Sequence, residues 1–115
     1  MSLIGDAGIL LDCTDNTRSK LYLERLAQER GIPLVHGGVE GWCGQVAVVL
    51  PGERILEKLY QDKEVHPEKT YAPTVNVIAS LQAAEVCKLA MGKAMRGQVL
   101  WVDLMNQEFS TLRIT

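Results

Sequence analysis

The run Asp12-Cys13-Thr14-Asp15-Asn16 holds the side chains best suited to chemistry in this sequence. Asp15 follows a short apolar stretch and precedes a helical pattern. Its carboxylate is therefore expected on the rim at the carboxyl ends of parallel strands, where open α/β sheets bind ligands. A carboxylate there offers a hard oxygen to Mg²⁺, which is commonly held by one or two carboxylates together with substrate phosphates. The same position also suits a helix cap that favours the dipole and binds no ligand. Asp12 faces a similar choice between turn formation and function. Lys20, one turn into the helix, has the length to reach a phosphate or a carboxylate, and Arg18 lies beside it. His36 closes an expected strand, where it serves either acid–base chemistry or packing.

Other chemistries find less support. Gly-x-Ser-x-Gly is absent, and no serine, histidine and acid fall at hydrolase spacing. Gly37-Gly38-Val39-Glu40-Gly41 follows a strand but leads into another strand, so it lacks the helix that binds a phosphate. Gly5-Asp6-Ala7-Gly8 merely precedes a strand, and neither Gly-x-Gly-x-x-Gly nor a Walker motif occurs. The three cysteines, Cys13, Cys43 and Cys87, form no Cys-x-x-Cys pair, so no zinc site is expected and the thiols read as reduced. A net charge of −2 with scattered lysines and arginines gives no footprint for nucleic acid. No stretch reaches the ~20 apolar residues of a membrane span, and no leader pattern opens the chain. A soluble, cytoplasmic protein is expected, with no membrane partner.

The elements that must position these residues follow from periodicity. Residues 9–13 read as a buried parallel strand. Thr14-Asp15-Asn16-Thr17 is a cluster of capping residues before a helix over 18–30, with Leu23, Leu26, Ala27 and Arg30 on one face and Lys20, Glu24 and Gln28 on another. Gly31 stops that helix and Pro33 forbids its continuation. Residues 33–36 make a second strand, completing a strand-helix-strand crossover. Glycines 37, 38 and 41 then break the chain before a third, antiparallel strand over 45–50. Residues 55–60 allow a turn or two of helix, and 61–73 read as a loop. Thr74 is the expected cap of a second long helix with Val75, Ile78, Ala79, Gln82, Val86 and Leu89 on one stripe, ending at Gly92. A hairpin over 98–104 and 108–114 closes the chain. With 115 residues this is one domain at most. The fold class is α/β with a mixed sheet, in the order β-α-β-β-loop-α-β-β.

Four segments in register resemble one family, the ThiF/MoeB/HesA proteins related to ubiquitin-activating enzymes. They are Leu10-Leu11-Asp12-Cys13-Thr14-Asp15-Asn16, then Gly31-Ile32-Pro33-Leu34-Val35-His36-Gly37 followed by Gly44-Gln45-Val46, then Ile78-Ala79-Ser80-Leu81-Gln82-Ala83-Ala84-Glu85, and the closing hairpin with Val102-Asp103-Leu104 and Glu108-Phe109. Gly41-Trp42 and Leu56-Glu57-Lys58 resemble the shorter HesA-like members. The resemblance implies a Rossmann-like domain of which residues 1–115 form the carboxyl-terminal half. It implies ATP-dependent adenylation of the carboxyl terminus of a ubiquitin-like sulfur carrier protein, the partner, within cofactor biosynthesis. Asp15 would coordinate Mg²⁺ at the ATP phosphates, and Asn16 and Lys20 would belong to the same nucleotide site. Lys20 stands where the family usually has an arginine, which keeps the charge and loses the fork. The loop over 61–73 would be the segment under which the carrier's tail threads. The family's glycine-rich half has no counterpart here, so this stretch alone is not expected to be active. Family members are typically homodimers, so a dimer or higher oligomer is expected; a non-catalytic dimerisation or carrier-binding module is the alternative.

Overall fold

The computed structural model describes residues 8–61 and 69–114. Eight elements follow in order: β1 (Leu10–Asp12), α1 (Thr17–Arg30), β2 (Leu34–Glu40), β3 (Cys43–Val49), α2 (Ile55–Tyr60), α3 (Ala72–Ala90), β4 (Gln98–Asp103) and β5 (Glu108–Arg113). The strands form one sheet in sequence order, β1-β2-β3-β4-β5. Only β1 and β2 run parallel, joined by the α1 crossover. The three later pairings are antiparallel. The α/β class and the mixed sheet, parallel first and antiparallel afterwards, are those expected from periodicity.

Alternation along the strands sorts side chains onto two faces. Leu10, Leu34, Ala47, Val49 and Val99 share one face and form a core with Ala27 of α1 and Ile55, Leu56 and Tyr60 of α2. Val46 and Val102 lie on the opposite face beneath Ile78 of α3. The sheet is thus sandwiched, and burial of these Val, Leu and Ile side chains supplies the main driving force.

Several boundaries differ from the sequence expectation, each for a physical reason. Residues 37 and 38 do not break the chain: β2 continues to Glu40, and the reversal is made by Gly41-Trp42 alone, with Gly41 at φ +58°. Glycine at 37 and 44 instead admits α3. A Cβ at Gly37 would collide with Gln82, and one at Gly44 with Ile78. Helix α3 starts at Ala72 with Tyr71 as cap, not Thr74, because a proline is tolerated in a first helical turn. Its buried stripe is Thr74, Ile78, Gln82 and Glu85, so of the expected stripe Val75 and Ala79 face outward. In α1 the buried face is Thr17, Lys20, Glu24 and Ala27, where the apolar pattern pointed to Leu23, Leu26, Ala27 and Arg30. Lys20 and Glu24 go inward because partners await them, while Leu23 and Leu26 pack at the margin of the core. Gly31 ends α1 in the left-handed region, its N–H bonding Gln28 O and that of Ile32 bonding Ala27 O, a Schellman closure. The family's threading loop falls mostly on residues 62–68, which lie outside the described residues, as does the 5–7 part of the first glycine pair. Flanking them, Gly41 N–H donates to Lys69 O at 2.9 Å.

Candidate functional site

Asp15 stands just past the carboxyl end of β1, exposed, between two peptides that are held from several sides. Thr14 N–H donates to Asp12 Oδ1 at 3.0 Å, and the Thr14 hydroxyl donates to the same oxygen. The Thr14 carbonyl accepts from Lys20 Nζ at 2.8 Å. After Asp15, Asn16 is the N-cap of α1: its Oδ1 accepts from Ser19 N–H at 2.8 Å. The capping role that position allowed for Asp15 thus belongs to Asn16. Among the described residues the exposed Asp15 carboxylate accepts one hydrogen bond, from Asn16 Nδ2 at 3.2 Å.

Lys20 is buried, not an exposed cation. Its ammonium makes three hydrogen bonds, to Asp12 Oδ2 at 3.1 Å, Thr14 O at 2.8 Å and Gly37 O at 2.8 Å. An ammonium has three protons, so every donor is committed within the chain. Asp12 is fully buried and pairs with both Lys20 and His36 Nδ1, the latter at 2.6 Å. Burial alone would raise the Asp12 pKa; the hydrogen bond from His36 and the nearby positive charge outweigh it and hold the carboxyl at about 2. His36 is itself fully buried, and loss of hydration lowers its pKa. With Lys20 already balancing Asp12, His36 is neutral and donates through Nδ1–H, leaving Nε2 as an acceptor.

That acceptor meets Gln45 Nε2 at 3.0 Å, and the same amide nitrogen donates to the Tyr60 hydroxyl at 2.9 Å. Burial and the Asp12 charge push the Tyr60 phenol up to about 12, so it remains protonated. Asp15, Lys20, Gly38, Glu40, Gln45, Tyr60 and Trp101 are among the residues lining a cleft of about 190 Å³. Cys43 also borders it, but burial and the neighbouring Asp103 and Glu40 raise its thiol pKa, which disfavours the thiolate. Arg18 points outward and takes no part. Among the described residues no three His, Cys, Asp or Glu side chains cluster as a metal site, and all three cysteines are free.

Gln45, Tyr60 and Gln82 were not singled out as site residues by sequence reasoning. Gln82 Nε2 donates to Asp12 O at 3.0 Å and Val35 O at 3.3 Å, tying α3 to the base of the site. The available signal was polarity out of place: Gln45 sits within an apolar strand and Gln82 on an apolar stripe.

A mixed α/β sheet with an exposed acid at the carboxyl end of its parallel strands, on a helix-initiating turn, is an α/β domain of the Rossmann-like class. The chain belongs to the ThiF family, whose model matches residues 1–115. It is 30% identical over 115 residues to a molybdopterin-synthase adenylyltransferase of Haemophilus influenzae, covering 92% of this chain and 47% of that protein. It is 28% identical over 117 residues to a sulfur carrier protein ThiS adenylyltransferase of Bacillus subtilis, covering 96% and 35%. In structure it is similar to Escherichia coli MccB crystallised with ATP, with a TM-score of 0.73 at 17% identity over 96% of this chain and 37% of that one. The chain spans about half the length of the molybdopterin-synthase adenylyltransferases it matches.

Proposed function

We propose that residues 1–115 form the carboxyl-terminal half of a ThiF/MoeB/HesA-type adenylating domain. Joined to a glycine-rich half, this domain adenylates the terminal carboxylate of a ubiquitin-like sulfur carrier with ATP, in the cytoplasm. The observation that carries the reading is the Asp15 carboxylate, exposed and uncapped on a turn whose neighbouring peptides are fixed. The names of the relatives, adenylyltransferases for molybdopterin synthase and for ThiS, support the same chemistry.

In this reaction a carboxylate oxygen attacks the α-phosphorus of ATP, the bond to pyrophosphate breaks, and pyrophosphate leaves. Two anions must be brought together, so positioning and charge neutralisation dominate the barrier. Asp15 is a hard oxygen donor with spare lone pairs and fits Mg²⁺, which when bound would offset phosphate charge. Asn16 orients the Asp15 carboxylate through the side-chain N–H it donates to Oδ1. Lys20 belongs to the same site by fixing the Thr14 carbonyl beside it. Alone, one carboxylate does not hold a triphosphate, and this stretch is expected to show no measurable ATP affinity. Carrier-dependent ATP–pyrophosphate exchange in the complete domain tests the reading. Exchange that survives Asp15→Ala at full rate removes the assignment of Asp15.

A second reading, an assembly module without catalysis, is favoured by one observation. Strand β5 is exposed along its whole length, with Phe109 and Leu112 both 57% exposed.

A further inference from the structure

Past the last turn of α3 the chain doubles back over the sheet. Met91 closes the helix, and Gly92 at φ +70° reverses the direction. The N–H groups of Gly92 and Lys93 return to Leu89 O at 3.1 Å and Lys88 O at 2.8 Å. The segment over 93–96 is pinned to the helix by Glu85, whose Oε1 accepts from Met95 N–H at 2.8 Å. Between the helix, this segment and the sheet lies a second cleft, of about 460 Å³. That volume falls within the ~300–1,000 Å³ of small-molecule sites.

Two chemistries meet in its lining. Val46 of β3, Leu81 of α3, Leu100 of β4 and Met95 are apolar and belong to the core cluster under α3. Lys88, Lys93 and Arg96 line it as well, against a single acid, Glu85. That acid is 6% exposed and spent, since one oxygen takes Met95 N–H and the other pairs with Lys88 Nζ. Lys93 and Arg96 are exposed, and among the described residues neither side chain has an ion pair or a hydrogen bond. Cations near a helix C-terminus often answer to its open carbonyls. Here the carbonyls of residues 87, 88 and 89 already accept from the N–H groups of Met91, Gly92 and Lys93. Two positive charges are therefore left unbalanced beside an apolar floor.

We propose that this cleft is a second ligand site, for a phosphate monoester with a small apolar body. Arg96 takes two phosphate oxygens through its fork, Lys93 supplies a point charge, and the body lies on Val46, Leu81 and Leu100. A monoester dianion matches the two unspent cations, whereas a carboxylate matches only one. Gln98 and Thr111, also in the lining, add an amide and a hydroxyl as further donors. The apolar floor distinguishes the cleft from a surface that merely attracts anions, because a hydrocarbon body buried there adds affinity no bare anion obtains. Val46 and Leu100 belong to the α3 face of the sheet, and Tyr60 packs on the other. The site is thus separate from the cleft beside Asp15 and does not rest on the adenylation reading.

The test titrates the ¹⁵N-labelled 115-residue chain with benzyl phosphate at low salt, with inorganic phosphate and benzyl alcohol as the two halves of the probe. The amides of Met95, Leu100 and Thr111 are expected to shift while those of Asp15 and Gly38 stay in place. Each half-probe is expected to bind at least about tenfold more weakly than the whole. Arg96→Gln and Lys93→Gln are each expected to weaken benzyl phosphate about tenfold. Added salt is expected to weaken it in the wild-type chain, which tests the charged half without any variant. Absence of binding, or Arg96→Gln binding as tightly as wild type, overturns the site. So does inorganic phosphate binding as well as the ester, affinity that ignores salt, or shifts equally strong at Arg25 and Lys69, which mark general attraction of anions.

Discussion

Asp15 owes its availability to its neighbours. Asn16 caps α1, and Asp12 with Lys20 clamps the Thr14 peptide on both sides, so the Asp15 carboxylate is not consumed by local structure. Asp15→Ala is accordingly expected to abolish pyrophosphate exchange in the complete domain while leaving the thermal midpoint unchanged within error, as usual for an exposed site. Position in the sequence favoured a cap at Asp15 and only the family resemblance favoured a ligand, because a four-residue cluster of capping types does not say which member caps. Nor did it reveal that Lys20 is buried, since inward direction depends on Asp12 lying within reach across 8 residues. The same cluster makes a pH prediction. His36 in the folded chain has a pKa below its ordinary 6.5, so the unfolded chain binds the extra proton first and stability falls as the pH drops below about that value. Asp12, held at about 2 against 3.8, adds stability above pH 3.8 that is lost as the pH falls toward 2. Urea midpoints are expected to be lower at pH 5 than at pH 7, with His36→Gln flattening that difference. A midpoint independent of pH from 7 to 5 in the wild-type chain contradicts a neutral buried imidazole.

The elements were legible in type and order, and their faces were not. Apolar periodicity placed both long helices and the strands β1 to β4 because each must bury one side, and alternation alone placed β5, which is exposed throughout. It misjudged the inward stripe of α1, where two charged residues are buried with partners that only the fold supplies. Glu24 shows why. It is 1% exposed, and its two oxygens accept from Leu56 N–H at 2.7 Å and Glu57 N–H at 3.1 Å. Helix α2 has no side-chain cap of its own, since Arg54 makes none, so α1 caps α2 from outside. Glu24→Ala is expected to cost about 2 kcal/mol in denaturant unfolding, because two N–H groups lose their acceptors. A loss under about 0.5 kcal/mol would mean the end of α2 is solvated instead. Thr74 predicts the opposite sign. Its hydroxyl oxygen is buried without a hydrogen-bond partner among the described residues. Thr74→Val keeps the shape and removes the unmet group, so stability is expected to stay level or rise by up to about 1 kcal/mol. Glycine was the other blind spot. At 37 and 44 it reads as a breaker in sequence, whereas its role is to let Gln82 and Ile78 of α3 approach the sheet.

On the scale of the whole molecule, the sheet ends in two unlike edges. Beside β1, Leu11 is 49% exposed. At the other edge β5 is exposed from Glu108 to Arg113 and pairs only with β4 among the described residues. Unpaired edges with apolar side chains favour association. A two-fold axis normal to the sheet keeps every side chain on its own face, so two copies of β5 pair antiparallel only in registers centred on a residue. Centred on Thr111, that pairing sets Phe109 against Arg113 of the partner copy on one face and Ser110 against Leu112 on the other. The assembly reading therefore predicts a dimer in concentration-dependent light scattering. Phe109→Lys is expected to weaken it at low salt by placing like charges opposite each other, and Arg113→Glu added to Phe109→Lys is expected to restore it. A second change that fails to rescue would move the contact away from this register of β5. A monomer at every concentration would remove the assembly reading and leave β5 as a plain edge, with the adenylation reading of Asp15 untouched.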